Sequence, residues 1–355
     1  MIDAYSLPVT KIERSKLHDI NLENIVFGRY FTDHMLEADY ENGEWKNAEI
    51  KPYQPLVMDP SIAAIHYGQS IFEGIKAYRN KAGEAFIFRP YDNFKRFNKS
   101  AARMQMPAVP EELFIEGMRQ LVGLDKNWIP AREDHSLYIR PFMFATDEMI
   151  GVRPAEKYKF MIIMAPTGPY YSAPMRIYVE EKYTRAAPGG VGFAKAAGNY
   201  AASMFVTAEA KKKGYDQVLW TDAFEHKYVQ EIGTMNVFFI IGDTAVTPDL
   251  SSGTILAGIT RDSAMTILAE LGLKVEERPV AVDELMEAYR AGQLREVFGT
   301  GTAATISLIR ELRYKDFVMN FNTEEWKVTP ALKKRLDDIR GGKAEDKYGW
   351  MLKVH

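Results

Sequence analysis

The chain has 355 residues, which at about 150 residues per domain points to two domains and leaves room for substantial cores. Lys and Arg number 45 against 48 Asp and Glu, a net charge of −3, so there is no general attraction to nucleic acid or to an anionic membrane. Cysteine is absent, which excludes disulfides, thiolate metal sites and cysteine nucleophiles.

The two histidines nearest in sequence, His18 and His34, are 16 positions apart, so no local metal-binding pair exists and no metal is expected. The apolar runs 160–165 and 237–241 are far shorter than the ~20 residues of a spanning helix. The opening residues carry Asp3 and then a charged stretch from Lys11 to Lys16 instead of an apolar signal core, giving the expectation of a cytoplasmic protein.

In chain order, Phe94, Phe97, Ala101 and Met104 recur at helical spacing after Asp92, an expected N-cap, and Pro107 stops the helix. A second helix is expected over 111–122, then strands over 137–144 and 159–165, rich in aromatic and β-branched residues. Pro166, Gly168, Pro169 and Pro174 form the clearest linker signal, dividing an N-terminal α/β domain (1–166) from a larger C-terminal domain (179–355) through a linker at 167–178. Beyond it, a helix from Ala201 should end at Lys211, Lys212, Lys213 and Gly214, where cations suit the carbonyl end and Gly the left-handed cap. Strands are expected over 217–221, 229–241 and 274–280. Helices should follow Thr260 and the expected cap Asp283, with a turn at Gly299-Thr300-Gly301-Thr302. Strands next to strands, with helices between only some of them, give an α+β fold.

The segment around Lys195 carries the most chemistry. From Ala186 to Ala208 it is the only charged residue, flanked by Ala194, Ala196 and Ala197. An amine held among small apolar groups loses hydration, which favours the neutral nucleophile that joins carbonyls or pyridoxal phosphate in a Schiff base. Spacing alone favours a solvated loop lysine, and Gly190-x-Gly192 lacks the third Gly of a dinucleotide fingerprint. Further along, Glu231 precedes an apolar strand, from which a carboxylate could hold a pyridinium proton. Gly258-Ile259-Thr260-Arg261 opens a helix whose amides suit a phosphate. Thr300 and Thr302 add hydroxyls, and Arg89 adds a two-pronged cation. Each of these, taken singly, also reads as an ordinary cap, turn or surface ion pair.

Seven ordered blocks nevertheless resemble the branched-chain amino acid aminotransferases, fold-type IV enzymes that use pyridoxal 5'-phosphate. They are Val26-Phe-Gly-Arg-Tyr-Phe-Thr-Asp-His-Met35, His66-Tyr-Gly-Gln-Ser-Ile-Phe-Glu-Gly74, Phe88-Arg-Pro90, Leu137-Tyr-Ile-Arg-Pro141, Lys195-Ala-Ala-Gly-Asn-Tyr200, Glu231-Ile-Gly-Thr-Met-Asn236 and Phe298-Gly-Thr-Gly-Thr302. The resemblance covers nearly the whole chain. It implies a two-domain fold with the cofactor in the interdomain cleft and Lys195 as the Schiff-base lysine that shuttles the substrate α-proton. It places Tyr200 at the phenolic oxygen, Glu231 at the pyridine nitrogen, and Arg89, the Ile259 and Thr260 amides and Thr302 at the phosphate. Thr234 and the Ala303 amide would meet the substrate carboxylate. Phe27, Phe72, Tyr138, Tyr170 and Met235 would line the side-chain pocket, and Arg140 would serve the second carboxylate of glutamate. Tyr67 and Val152 match residues contributed across a dimer interface, implying a homodimer.

One departure is visible: where vertebrate members carry a Cys-x-x-Cys redox pair, this chain has Ala304-Thr-Ile-Ser307, so thiol regulation of that kind is absent. The other readings weighed are a D-amino acid transaminase, an aminodeoxychorismate lyase, a cofactor-binding protein without catalysis, and an aldolase with an activated lysine. The Tyr138-Ile-Arg-Pro141 and Phe72-Glu-Gly74 blocks, together with intact Lys195, Tyr200, Glu231 and Arg89, argue against them.

Overall fold

The computed structural model describes residues 5–22, 25–170 and 173–355, so the start of the chain and positions 171–172 of the expected linker lie outside the described residues. Two compact units emerge. The first comprises Met1–Tyr170, Ala194–Ala197 and Asp338–His355, the second Tyr171–Phe193 and Gly198–Asp337. Each combines helices with its own sheet, the expected α+β arrangement.

In the first unit the sheet is antiparallel throughout, in the spatial order Met351–Lys353, Ala85–Phe88, Ile75–Arg79, Ser136–Ala145, Tyr158–Thr167, His34–Glu41 and Glu44–Pro52. The two central strands pair along their full length, from Ser136 opposite Thr167 to Ala145 opposite Tyr158. Both are almost entirely buried, which is why their sequences read as continuous apolar runs instead of alternating ones. Helices Pro90–Arg103 and Glu111–Leu124 supply Phe97 and Phe114, whose rings meet that of Phe160 at 5.7 and 5.8 Å. The C-terminal residues belong here because Met351–Lys353 extends the sheet edge at Ala85–Phe88.

One irregularity matters for function. Ser136–Ala145 receives two short strands on the same side, Ser70–Phe72 against Phe144 to Phe142 and Ile75–Arg79 against Ile139 to Leu137. The break falls at Glu73-Gly74, opposite Pro141, which has no N–H to donate to a ladder. The Glu73 amide bridges it, donating to Pro141 O at 2.7 Å.

The second unit mixes directions. Met175–Val179 runs parallel to both Gln217–Thr221 and Thr305–Tyr314, and Thr244–Thr247 runs parallel to Lys274–Glu277. Parallel neighbours require crossover connections. Helix Ala197–Lys212 lies in one crossover and helix Ile259–Glu270 in the other, so the Lys195 segment and the Gly258 helix start lie in connections that the parallel pairings require, while Glu231 and Thr300 lie in strands.

Several expected boundaries move. The strand expected over 229–241 is two strands, Val229–Ile232 and Asn236–Ile241, which pair with different neighbours, because Gly233 adopts φ 55° and Ile232 and Met235 exchange both backbone bonds at 2.8 Å across a tight turn. Gly299-Thr300-Gly301 lies inside strand Leu294–Gly301, and the turn is at 302–304. Asp92 and Asp283 sit in the first turns of their helices, where an acid suits the dipole, while the caps are Arg89 and Ala281. The helix expected from Ala201 begins at Ala197, and the strand begun at Lys274 ends at Glu277. Among the described residues no helix is long and apolar enough to cross a membrane, and no group of three or more His, Asp or Glu is placed to hold a metal.

Candidate active site

Lys195 is stitched into the first unit by its backbone. Its N–H donates to Ser100 Oγ at 2.9 Å, its carbonyl accepts from the Phe72 amide at 3.1 Å, and Ala196 bridges Ile71. Ser100 is itself fixed within helix Pro90–Arg103 by donation to Arg96 O. Ala194 and Ala196 are buried while Lys195 is half-buried, and its Nζ lies 5.0 Å from the Phe72 ring centre. The small flanking residues thus let the backbone dock closely around a half-buried lysine.

Beside it, the break in the sheet assembles an aromatic cage. Phe27 meets Tyr138 at 5.0 Å and Tyr170 at 5.1 Å, both edge-on. The Arg140 guanidinium lies 4.5 Å from the Phe72 ring and 5.2 Å from that of Tyr138, and donates to the Tyr138 hydroxyl at 2.9 Å. Gly74 is required here, since a Cβ would fall 2.3 Å from the Tyr138 oxygen. Beneath the cage Glu73 is fully buried and bound by Arg96 through two prongs at 2.7 and 2.8 Å. Five expected substrate residues, Phe27, Phe72, Tyr138, Arg140 and Tyr170, are therefore brought together within one unit.

Arg89 sits at φ 49°, a left-handed conformation costly for a side-chain-bearing residue and frequent at functional sites. Its Nε pairs with Asp92 at 2.7 Å, its backbone N–H donates to Trp350 O at 2.7 Å, and its guanidinium lies 5.3 Å from the Trp350 ring. Tyr67 and Val152 are instead exposed, at 41% and 91%.

The second unit holds the other residues. Glu231, buried in strand Val229–Ile232, accepts from the Leu256 amide at 2.9 Å and lies 3.4 Å from Asn236 Nδ2. Asn236 Nδ2 also donates to Leu256 O at 2.9 Å. Tyr200 is in the first turn of Ala197–Lys212, the Gly233 turn presents Thr234, and Met235 packs against the space that side chains at Gly299 and Gly301 would occupy. Helix Ile259–Glu270 starts at Gly258, which has no side chain to cap it and whose Cβ would fall 1.9 Å from Asn236 Oδ1. Thr260 is buried at this start, and Thr302 and Ala303 lie in the turn that follows strand Leu294–Gly301.

These features suit pyridoxal phosphate. A buried carboxylate offers an acceptor for a ring N–H. A glycine-capped helix start leaves the place of an acceptor to an anion. Thr300, cross-strand from Asn236, has a fully buried Oγ1 without a protein partner among the described residues, a donor that a phosphate would satisfy. Sequence reasoning passed over Arg185, whose Nε lies 3.1 Å from Glu231 Oε2. A signal was available, because the uncharged run that isolates Lys195 starts directly after Arg185.

The profile of the class IV amino-transferases matches residues 70–312, and the chain belongs to that family. Within it, the chain is 51% identical over 338 residues to a probable branched-chain-amino-acid aminotransferase of Staphylococcus epidermidis, covering 93% of this chain and 94% of the relative. It is 48% identical to branched-chain-amino-acid transaminase 1 of Bacillus subtilis, covering 92% and 94%. Among solved structures, the branched-chain amino acid aminotransferase from Escherichia coli superposes with TM-score 0.72 at 28% identity, covering 90% of this chain and 99% of that one. The T.th. branched-chain amino acid aminotransferase in complex with N-(5'-phosphopyridoxyl)-L-glutamate gives the same score and identity, covering 90% and 98%.

Proposed function

We propose that the chain is a branched-chain amino acid aminotransferase that uses pyridoxal 5'-phosphate. It moves the amino group of L-leucine, L-isoleucine or L-valine reversibly to 2-oxoglutarate, giving branched 2-oxo acids and L-glutamate. The observation that carries this reading is the aromatic cage with a single guanidinium in its wall. Aromatic walls take branched hydrocarbon, worth ~1.5–3 kcal/mol per buried side chain. The Arg140 cation meets the second carboxylate when glutamate uses the same place. Two substrates of unlike polarity sharing one site imply a ping-pong cycle.

When bound, the cofactor supplies an electron-withdrawing ring and a store for the amino group between half-reactions. Lys195 Nζ would anchor the cofactor and, freed when the substrate amine takes its place, would take and return the substrate α-proton. Glu231 would accept from the pyridine N–H, and Tyr200 would donate to the phenolic oxygen. Arg89, the amides of Ile259 and Thr260, and Thr302 would hold the phosphate, with the Thr300 hydroxyl as a further donor. Thr234 and the Ala303 amide orient the substrate carboxylate, while Phe27, Phe72, Tyr138, Tyr170 and Met235 exclude water from the side chain.

The working form is a homodimer in the cytoplasm. Tyr67, Val152, Ile65 and Ile150 are exposed, and the Ile62–Glu148 bridge and the bond from Ala63 N to Asp147 O join the segments that carry them. A second copy buries this apolar face and receives Tyr67 and Val152 at its site. The expected division at 167–178 falls where the first unit gives way to the second, but the domain expected over 179–355 is corrected: 194–197 and 338–355 belong to the first unit, and 175–178 to a strand of the second. A panel of amino donors against 2-oxoglutarate tests the reading: kcat/KM for leucine, isoleucine and valine should exceed that for D-alanine and aromatic donors, and the reverse order overturns it.

A further inference from the structure

Arg185 and Glu231 form an ion pair inside the second unit, Nε to Oε2 at 3.1 Å, with side chains only 8% and 5% exposed. The same guanidinium donates through Nη2 to the Thr254 carbonyl and to Gly192 O at 3.3 Å. Gly192 is confined there, because a Cβ would lie 2.5 Å from Thr254 O. The other carboxylate oxygen, Oε1, is held by the Leu256 amide and faces Asn236. Arg185 therefore joins the glycine loop before Lys195, the segment leading to helix Ile259–Glu270, and the acid of strand Val229–Ile232.

We propose that Arg185 is a positioning residue that keeps Glu231 ionised and aimed, so that the proton shared between Glu231 and the pyridine nitrogen stays on the nitrogen. This rests on the placement of Glu231 given above. In a dry site the shared proton goes to the stronger base, and a buried carboxylate without a countercharge gains proton affinity. A cation against Oε2 removes that gain. The two carbonyl contacts, both made by Nη2, also tether the guanidinium beside the carboxylate.

The test compares R185Q, R185K, E231Q and the double variant R185Q/E231Q as holoenzymes. Three readouts are taken: kcat and KM for leucine, the pH at which the visible band of the bound cofactor changes, and the thermal midpoint of the cofactor-free proteins. Glutamine loses the charge and ends short of the two carbonyls, so the apo thermal midpoint reads the loss of those contacts separately from the loss of charge. R185Q should lower kcat about tenfold for each unit of proton affinity that Glu231 gains, shift the spectral transition and leave KM nearly unchanged, with R185K recovering part of both. In the E231Q background, R185Q should change kcat by less than about twofold. Additive losses, or a loss that follows the apo thermal midpoint without a spectral shift, overturn the proposal. If R185Q does not fold, R185M, which also removes the charge, carries the same comparison alone and in the E231Q background. If E231Q acts and the Arg185 variants do not, the proposal fails by itself. If E231Q changes neither rate nor spectrum, the role given to Glu231 falls with it.

Discussion

Arg96 grips Glu73 through Nε and Nη2 in the interior of the first unit, at the point where the sheet breaks opposite Pro141. The pair stands between Phe72, which lines the cage, and helix Pro90–Arg103, which anchors Lys195 through Ser100. Removing one member leaves a buried charge unpaired, which costs about 3–5 kcal/mol. Glu73→Gln should therefore lower the thermal midpoint strongly, and the variant should lose kcat while it remains folded below that midpoint. Thermal unfolding followed by circular dichroism, with turnover at low temperature, checks both.

Lys195→Ala removes the amine and leaves its neighbours intact. The backbone bonds that dock residue 195 do not involve the side chain, so the circular dichroism spectrum should be unchanged while transamination is abolished. Borohydride reduction followed by peptide mass mapping should mark position 195 in the parent and not in the variant. Retained steady-state turnover in the variant would refute the role of Lys195.

For Arg140→Met the two substrates should separate. The variant keeps most of the apolar wall and loses the guanidinium that lies against Phe72 and Tyr138. A hydrogen bond to a charged group is worth about 1.5–3 kcal/mol, so kcat/KM for 2-oxoglutarate should fall roughly 10- to 150-fold. Half-reaction rates with leucine should change by only a few-fold. Equal losses for both would mean that Arg140 only supports Tyr138.

Gly258→Ala tests the cradle at the start of Ile259–Glu270. The added methyl would meet Asn236 Oδ1 at 1.9 Å, so Asn236 must swing away from Leu256 O, beside Glu231. The expected result is at least a tenfold rise in the dissociation constant for pyridoxal phosphate, or about 1.4 kcal/mol, measured by fluorescence titration of the apoenzyme.

Asp222 gives a stability prediction with a defined pH sign. Burial resists its charge, but four amides, those of Glu225, Tyr228, Lys227 and Phe224, outweigh that and hold its carboxyl below the usual range. A carboxyl lowered on folding stabilises above its unfolded value of about 3.9, and that contribution is lost as pH falls through the folded value. Asp222→Ala should thus cost about 1–2 kcal/mol at pH 7 in this partly solvated turn. The difference between parent and variant should shrink below about pH 4. Urea melts at both pH values check this.

Much of the plan was legible in the residues themselves. Hydrophobic periodicity located the helices led by Phe94 and Glu111, and the burial of two central strands was written in their continuous apolar runs. Asn42-Gly43, both at positive φ, carries the strongest short-range hairpin signal, yet the strands it joins, His34–Glu41 and Glu44–Pro52, were not recognised. They alternate polar and apolar residues only in part, since a bulge between Glu37 and Asp39 shifts the register. The division of 229–241 turned on one glycine conformation, and the displacement of the Gly299 turn on pairing with Asn236–Ile241.

By itself the sequence determined the isolated lysine, the acid ahead of an apolar strand, the glycine-led helix start and the family blocks, because each is a local pattern of residue type and spacing. The tertiary structure alone decided that Phe27, Phe72, Tyr138, Arg140 and Tyr170 form one cage, that Arg96 neutralises Glu73, and that Arg185 faces Glu231. These pairings join positions 23 to 143 residues apart. Charge neutralisation and ring packing depend on distance in space, which strand register and crossover connections set and which no local pattern encodes.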